Sequence, residues 1–155
     1  MSLIRKFLRE ENIHLALRQI ETYHQAQDML LEQLRWDSRV TNFDAFAAAV
    51  VETGAPVLEE GGHGILIAHG RTDAVKTLTI AAGRPEGGCT AVTDATVPLC
   101  LVFVLGIPNA SNADYLRAVG IIARACRNEI TRSQLLAAPT PEAFISILSS
   151  VEKTI

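Results

Sequence analysis

The chain has 155 residues, 48% of them apolar and 20% charged, the balance of a globular protein with a core of its own rather than a disordered or fibrous one. Lys and Arg number 14 against 17 Asp and Glu, a net charge of −3, and aromatics make up 5%. Neither a basic surface nor a set of stacking rings argues for nucleic acid.

Leu3, Ile4, Phe7 and Leu8 are spaced as one face of a short first helix. Asn12 to Leu17 alternates as an edge or half-buried strand would, with His14 on the solvent face, opposite Ile13 and Leu15. Residues 22–36 carry a helical stripe of Ala26, Met29, Leu30, Gln33 and Leu34, with His24 a surface residue of the first turn. A second helix starts at Thr41-Asn42-Phe43-Asp44, with Thr41 as cap and Asp44 at the positive helix end. Phe43, Phe46, Ala47 and Val50 form its apolar face, and Gly54 and Pro56 end it.

Gly61 to Thr72 is a glycine-rich turn running into a short apolar strand that ends on His69, followed by Gly70 and Arg71. Val75 to Ala82 predicts another strand, and Arg84 to Gly88 a loop. Leu99 to Leu105 is continuously apolar, as a central strand covered on both faces would be. The last third predicts helices. Ser111-Asn112-Ala113-Asp114 is a cap signature, followed by Leu116, Val119, Ala123 and Cys126 on one face. Thr131 to Gln134 reads as a capping box. Thr140-Pro141-Glu142 opens a final helix whose face is Phe144, Ile145, Leu148 and Val151. The order helix, strand, two helices, three strands and three helices predicts an α/β fold: one three-layer α/β/α domain over residues 1–155 with a mixed central sheet.

The three cysteines, Cys89, Cys100 and Cys126, are odd in number and show no CxxC spacing, so neither a disulfide framework nor a zinc site is suggested. Cys100 and Cys126 read as buried small hydrophobes, and the compartment as reducing. No signal-peptide core is present at the N-terminus. The longest apolar run, Val97 to Ile107, is broken by Pro98 and Gly106, short of the roughly 20 residues of a spanning helix. The expected location is cytoplasmic.

His69 is the first chemical candidate. An imidazole at a strand end is well placed for a cleft in an open sheet, and its neutral form is a nucleophile near neutral pH. Gly70 leaves the neighbourhood open, and Arg71 offers planar donors to an anion. A packed strand-end histidine accounts for the same local pattern. His63 could share a metal with His69 only if the chain folded back at Gly64, because the strand residues between them span roughly 20 Å; it reads as a loop histidine. Gly61-Gly62-x-Gly64 lacks the Lys-Ser/Thr ending of a P-loop and precedes a strand, so it reads as a turn. Glu59, Glu60 and Asp73 read as a solvated loop. Asp114 and Tyr115 fall in the first turn of a helix, where Tyr115 either donates to a bound phosphate or packs on the sheet.

Taken together, the chain resembles the enzyme IIA domains of the fructose–mannitol type of the bacterial sugar phosphotransferase system, a group that includes the nitrogen-regulatory IIA proteins. The resemblance covers Asn12-Ile13-His14-Leu15, the helix around Phe43 to Val51, Gly64 to Arg71, Thr93 to Val97, the run Leu99 to Leu105, the helix from Ala113 to Asn128, and Leu135 to Phe144. Gly64-Ile65-Leu66-Ile67-Ala68-His69 is similar to the family signature gly-ile-ala-x-pro-his. The resemblance implies that His69 accepts a phosphoryl group from a histidine-containing phosphocarrier protein, with Arg71, Gly70 and Tyr115 in support and no metal or cofactor. Sugar-specific members pass the group to a IIB domain; regulatory members use the phosphorylation state to control other proteins.

The departures are specific. The proline before the histidine is Ala68 here, the usual upstream arginine-glutamate pair falls on Glu52-Thr53-Gly54, the serine-threonine that follows falls near Leu58-Glu59, and the second histidine falls on Tyr115. They imply weaker transfer, with Arg71 as the substitute cation and Glu59 adding repulsion. The expectation is a regulatory phosphocarrier without a fused IIB segment; the alternative is a IIA-fold interaction domain that has lost phosphotransfer.

Overall fold

The computed structural model describes residues 2–54, 57–110 and 113–155. In chain order the elements are α1 (Leu3–Phe7), β1 (Leu8–Leu17), α2 (Tyr23–Glu32), α3 (Phe43–Thr53), β2 (Val57–Glu60), β3 (His63–Arg71), β4 (Thr79–Pro85), β5 (Leu99–Ile107), α4 (Ala113–Arg127), α5 (Glu129–Ala137) and α6 (Pro141–Glu152). The five strands form one mixed sheet in the order β1-β4-β5-β3-β2. β3 runs parallel to β5, β1 parallel to β4, and the β4–β5 and β2–β3 pairs are antiparallel.

Alternation along the strands sorts the core into two layers. Ile65, Ile67, Leu101, Phe103 and Leu105 pack with α1, α4, α5 and α6, whereas Leu66, Ala68, Val102 and Val104 pack with α2 and α3. This is the three-layer arrangement the apolar patterns predict. β5 lies at the sheet centre with every residue buried, as its unbroken apolar run requires. β1 and β2 are the two edges.

Several boundaries differ from expectation for identifiable reasons. β2 was not expected; its four residues alternate between exposed and half-buried, too short a pattern to stand out. β4 begins at Thr79 rather than Val75, which makes only an isolated bridge to Val40, and it continues through Arg84 and Pro85. Asn42, not Thr41, caps α3 by accepting from the Ala45 N–H, because the Thr41 hydroxyl donates to the Ala74 carbonyl. Asn128 caps α5, so Thr131 lies inside that helix rather than at its start. The buried face of α4 is Ala118, Ile121, Ile122, Ala125 and Cys126; Leu116 is 65% exposed. Thr140 and Pro141 open α6 as expected. Ser111 and Pro56, expected as cap and helix stop, lie outside the described residues. His14 is half-buried rather than solvent-facing, its Nε2 is buried without a hydrogen-bond partner among the described residues, and burial pushes its pKa down.

Two polar contacts fix the frame. Asp37 and Arg39, both nearly buried, pair at 2.8 Å, and Arg39 also donates to the Phe7 carbonyl at 2.7 Å. The Glu152 carboxylate accepts from Leu3 N–H, Ile4 N–H and the Ser2 hydroxyl, tying α1 to the end of α6.

Candidate functional site

β3 delivers His69 to the end of the sheet where β3 and its parallel neighbour β5 finish. Its register puts His69 opposite Leu105 of β5, while β2 pairs only with His63 to Leu66. Odd-numbered residues of β3 face the layer of α4 and α6, so His69 and Arg71 emerge on that same face. The first turn of α4 places Tyr115 there. Its ring centroid stands 5.7 Å from that of half-buried His69, tilted by 39°. The Arg71 guanidinium lies 5.8 Å from the centre of the same Tyr115 ring and donates to the carbonyls of Pro108 (3.4 Å) and Asn109 (3.3 Å). The Asn109 amide in turn donates to Asp73 at 2.6 Å. Three residues from two elements thus converge: a nucleophilic imidazole, a cation held by the turn after β5, and a phenol. Such a set can receive and hold an anionic group.

Gly70 plays a different part from the one expected. It points into the other layer, where an added Cβ would lie 2.8 Å from the Val50 nitrogen and 3.1 Å from the Ala49 carbonyl carbon. It therefore lets the backbone of α3 close onto β3; it does not open space beside His69. Glu59 is also misplaced by the sequence reading. It pairs with Gly64, at the far half of β3, roughly 17 Å along the strand from His69, and adds no repulsion there. Thr53 ends α3 with its hydroxyl spent on the Ala49 carbonyl. Asp114 lines a cavity of about 640 Å³ with Lys6, Lys76, Thr77 and Pro108; the cavity adjoins the Arg71 anchor, but His69 does not line it.

The cysteines depart furthest from the expectation of unpaired thiols. Cys89 and Cys100 are paired as a disulfide, with 4.2 Å between their Cα atoms. The Thr90–Leu99 bridge folds the intervening segment back on itself and brings the two together, a non-local contact that spacing does not reveal. Cys100 is buried as expected, though not as a plain hydrophobe. Cys126 is the inert one: burial pushes its thiol up to about 12.

Residues 6–151 match the family described as phosphoenolpyruvate-dependent sugar phosphotransferase system, EIIA 2. A fructose-specific EIIA component of the phosphotransferase system from Haloferax volcanii is 29% identical over 126 residues, covering 81% of this chain and 82% of that protein. A fructose-specific EIIABC component from Bacillus subtilis is 26% identical over 126 residues, and the match covers 20% of its length. Among solved structures, the nitrogen regulatory protein IIA-Ntr from Neisseria meningitidis superposes with a TM-score of 0.76 at 22% identity, over 95% of this chain and 99% of that one. The IIA of the Escherichia coli mannitol system, determined in complex with phosphorylated IIB, superposes with a TM-score of 0.70 at 17% identity, over 93% and 99%. The fold expected from the sequence is thus the fold of these IIA proteins, and the chain belongs to the type-2 EIIA family of the sugar phosphotransferase system.

Proposed function

We propose that this chain is a cytoplasmic IIA phosphocarrier in which His69 accepts a phosphoryl group from a histidine-containing phosphocarrier protein and passes it on. The observation that carries this reading is the convergence of His69, Arg71 and Tyr115 at the C-terminal end of β3. A ring nitrogen of His69 attacks phosphorus as the bond from phosphorus to the donor's imidazole breaks, and the donor leaves neutral. Little covalent work falls to the protein; it supplies position and charge, and Arg71 is the cation nearest the acceptor in sequence. A IIB domain of a sugar-specific system is the receiver we favour over a purely regulatory target, because the Haloferax relative, of which 82% is covered, is named for fructose.

Tyr115 favours a second reading. It stands where the resemblance leads one to expect another histidine, which suits a IIA-fold interaction domain that no longer transfers phosphate. One experiment separates the two. Incubation with phosphoenolpyruvate, enzyme I and the phosphocarrier protein, followed by intact mass, is expected to show a gain of one phosphoryl group that His69→Gln abolishes. No gain under conditions that label a control IIA domain overturns the carrier reading.

A further inference from the structure

The opposite end of β3 carries a second cluster. His63 opens the strand, and the pairing of Gly64 with Leu99 sets it beside the start of β5, where Cys100 sits against Cys89. A ring nitrogen of His63 and the sulfurs of Cys89 and Cys100 all lie within 4.8 Å of one another. Donors about 2.0–2.3 Å from a common tetrahedral centre stand about 3.3–3.8 Å apart, so once the disulfide is reduced and its sulfurs part to that spacing the three are near enough to share an ion.

The histidine is already oriented. Its Nδ1 lies 3.0 Å from the Gly61 carbonyl oxygen and 3.2 Å from that of Glu60. Carbonyls only accept, so Nδ1 carries the proton and the lone pair is on Nε2. A ligating histidine uses its other nitrogen in this way. The positive φ of Gly61 and Gly62 makes the turn that presents those carbonyls. Cys100 is buried, His63 half-buried and Cys89 exposed, which leaves an entry path from solvent.

We propose that the reduced chain binds one thiophilic divalent metal ion of the zinc(II) class through Cys89 Sγ, Cys100 Sγ and His63 Nε2, and that the Cys89–Cys100 disulfide is the metal-free form of the same site. The balance is simple. A dithiol reductant gives two electrons and two protons to the disulfide and leaves as its own disulfide. The two thiols then lose two protons to the solvent as they ligate the ion, and water fills the fourth position. In a reducing compartment the thiol form prevails. Bound metal would pin the segment between β4 and β5 to the sheet, at the end of β3 remote from His69.

The test is titration of the full chain, reduced with a phosphine and desalted without oxygen, with cobalt(II) and then zinc(II). One equivalent of cobalt is expected to give the visible bands of a tetrahedral thiolate site, which zinc abolishes. Cys89→Ser and Cys100→Ser each remove the bands, His63→Gln weakens binding by at least about tenfold, and the disulfide form gives none. The absence of tetrahedral bands in the reduced wild type overturns the site, as do bands that persist in the disulfide form or in a cysteine variant. Unchanged affinity in His63→Gln overturns the three-ligand assignment. The wild-type titration requires no substitution, so a variant that fails to fold leaves the test intact.

Discussion

The ring of Tyr115 lies 5.7 Å from the ring of His69, close enough that a substitution at one changes the surroundings of the other. Tyr115→His restores the residue that the family resemblance leads one to expect there and is expected to raise the initial rate of phosphoryl acceptance. Arg71→Ala removes the cation beside the same ring and is expected to lower that rate by on the order of 10²-fold. Initial labelling rates at fixed phosphocarrier concentration check both. A rate unmoved by Arg71→Ala would remove Arg71 from the site.

Gly70→Ala tests the close approach of α3. The new methyl would meet backbone atoms of Val50 and Ala49, which cannot swing aside as a side-chain tip can. A loss of about 1–3 kcal/mol in unfolding free energy is expected from urea denaturation. Gly120→Ala, in α4 with nothing within 4 Å of the added Cβ, is the control and is expected to gain about 0.5–1 kcal/mol.

Asp37→Asn leaves the buried Arg39 guanidinium without its carboxylate. The expected cost is about 3–5 kcal/mol, read as a shift of the denaturation midpoint. Burial alone would raise the Asp37 pKa, but hydrogen bonds from the Arg39 side chain and N–H and from Asn12 outweigh it and hold the carboxyl well below the usual range. Its contribution is therefore complete above the unfolded carboxyl value, about 3.9, and is lost as pH falls through the lower folded value. The wild type is expected to lose stability below about pH 4 more steeply than the variant.

His14 gives a pH dependence nearer neutrality. Burial lowers its folded pKa beneath the unfolded value of about 6.5, so the unfolded chain binds the proton first and stability falls as pH drops below that value. His14→Leu removes both the proton and the buried Nε2 that has no hydrogen-bond partner among the described residues. The melting temperature of the variant relative to wild type is expected to be higher at pH 5.5 than at pH 8. An equal difference at the two pH values would show that His14 does not titrate on unfolding.

The parts of this protein written in local patterns were legible. The central strand, the α6 cap and the strand-end histidine each follow from a few adjacent residues, and the mixed three-layer fold follows from the order in which such local patterns succeed one another. What escaped were contacts made across the sheet. Gly70 reads as open space in one dimension, but α3 fills it in three. Cys89 and Cys100 look unrelated until the Thr90–Leu99 bridge joins them. Tyr115 lay between donor and packing residue, and its position over His69 came only from the placement of α4 against β3. The alternation that put His14 in solvent failed because β1 keeps only part of a regular register with β4.

The outer strands also say how this molecule can meet another. β1 offers Arg9, Glu10 and Glu11 along one margin of the sheet, and β2 offers Glu59 and Glu60 along the other. Ionised side chains on an outermost strand discourage a foreign strand from zipping onto its unpaired amides. The charged stretches of the two margins are thus poor templates for strand addition and fibrillar growth.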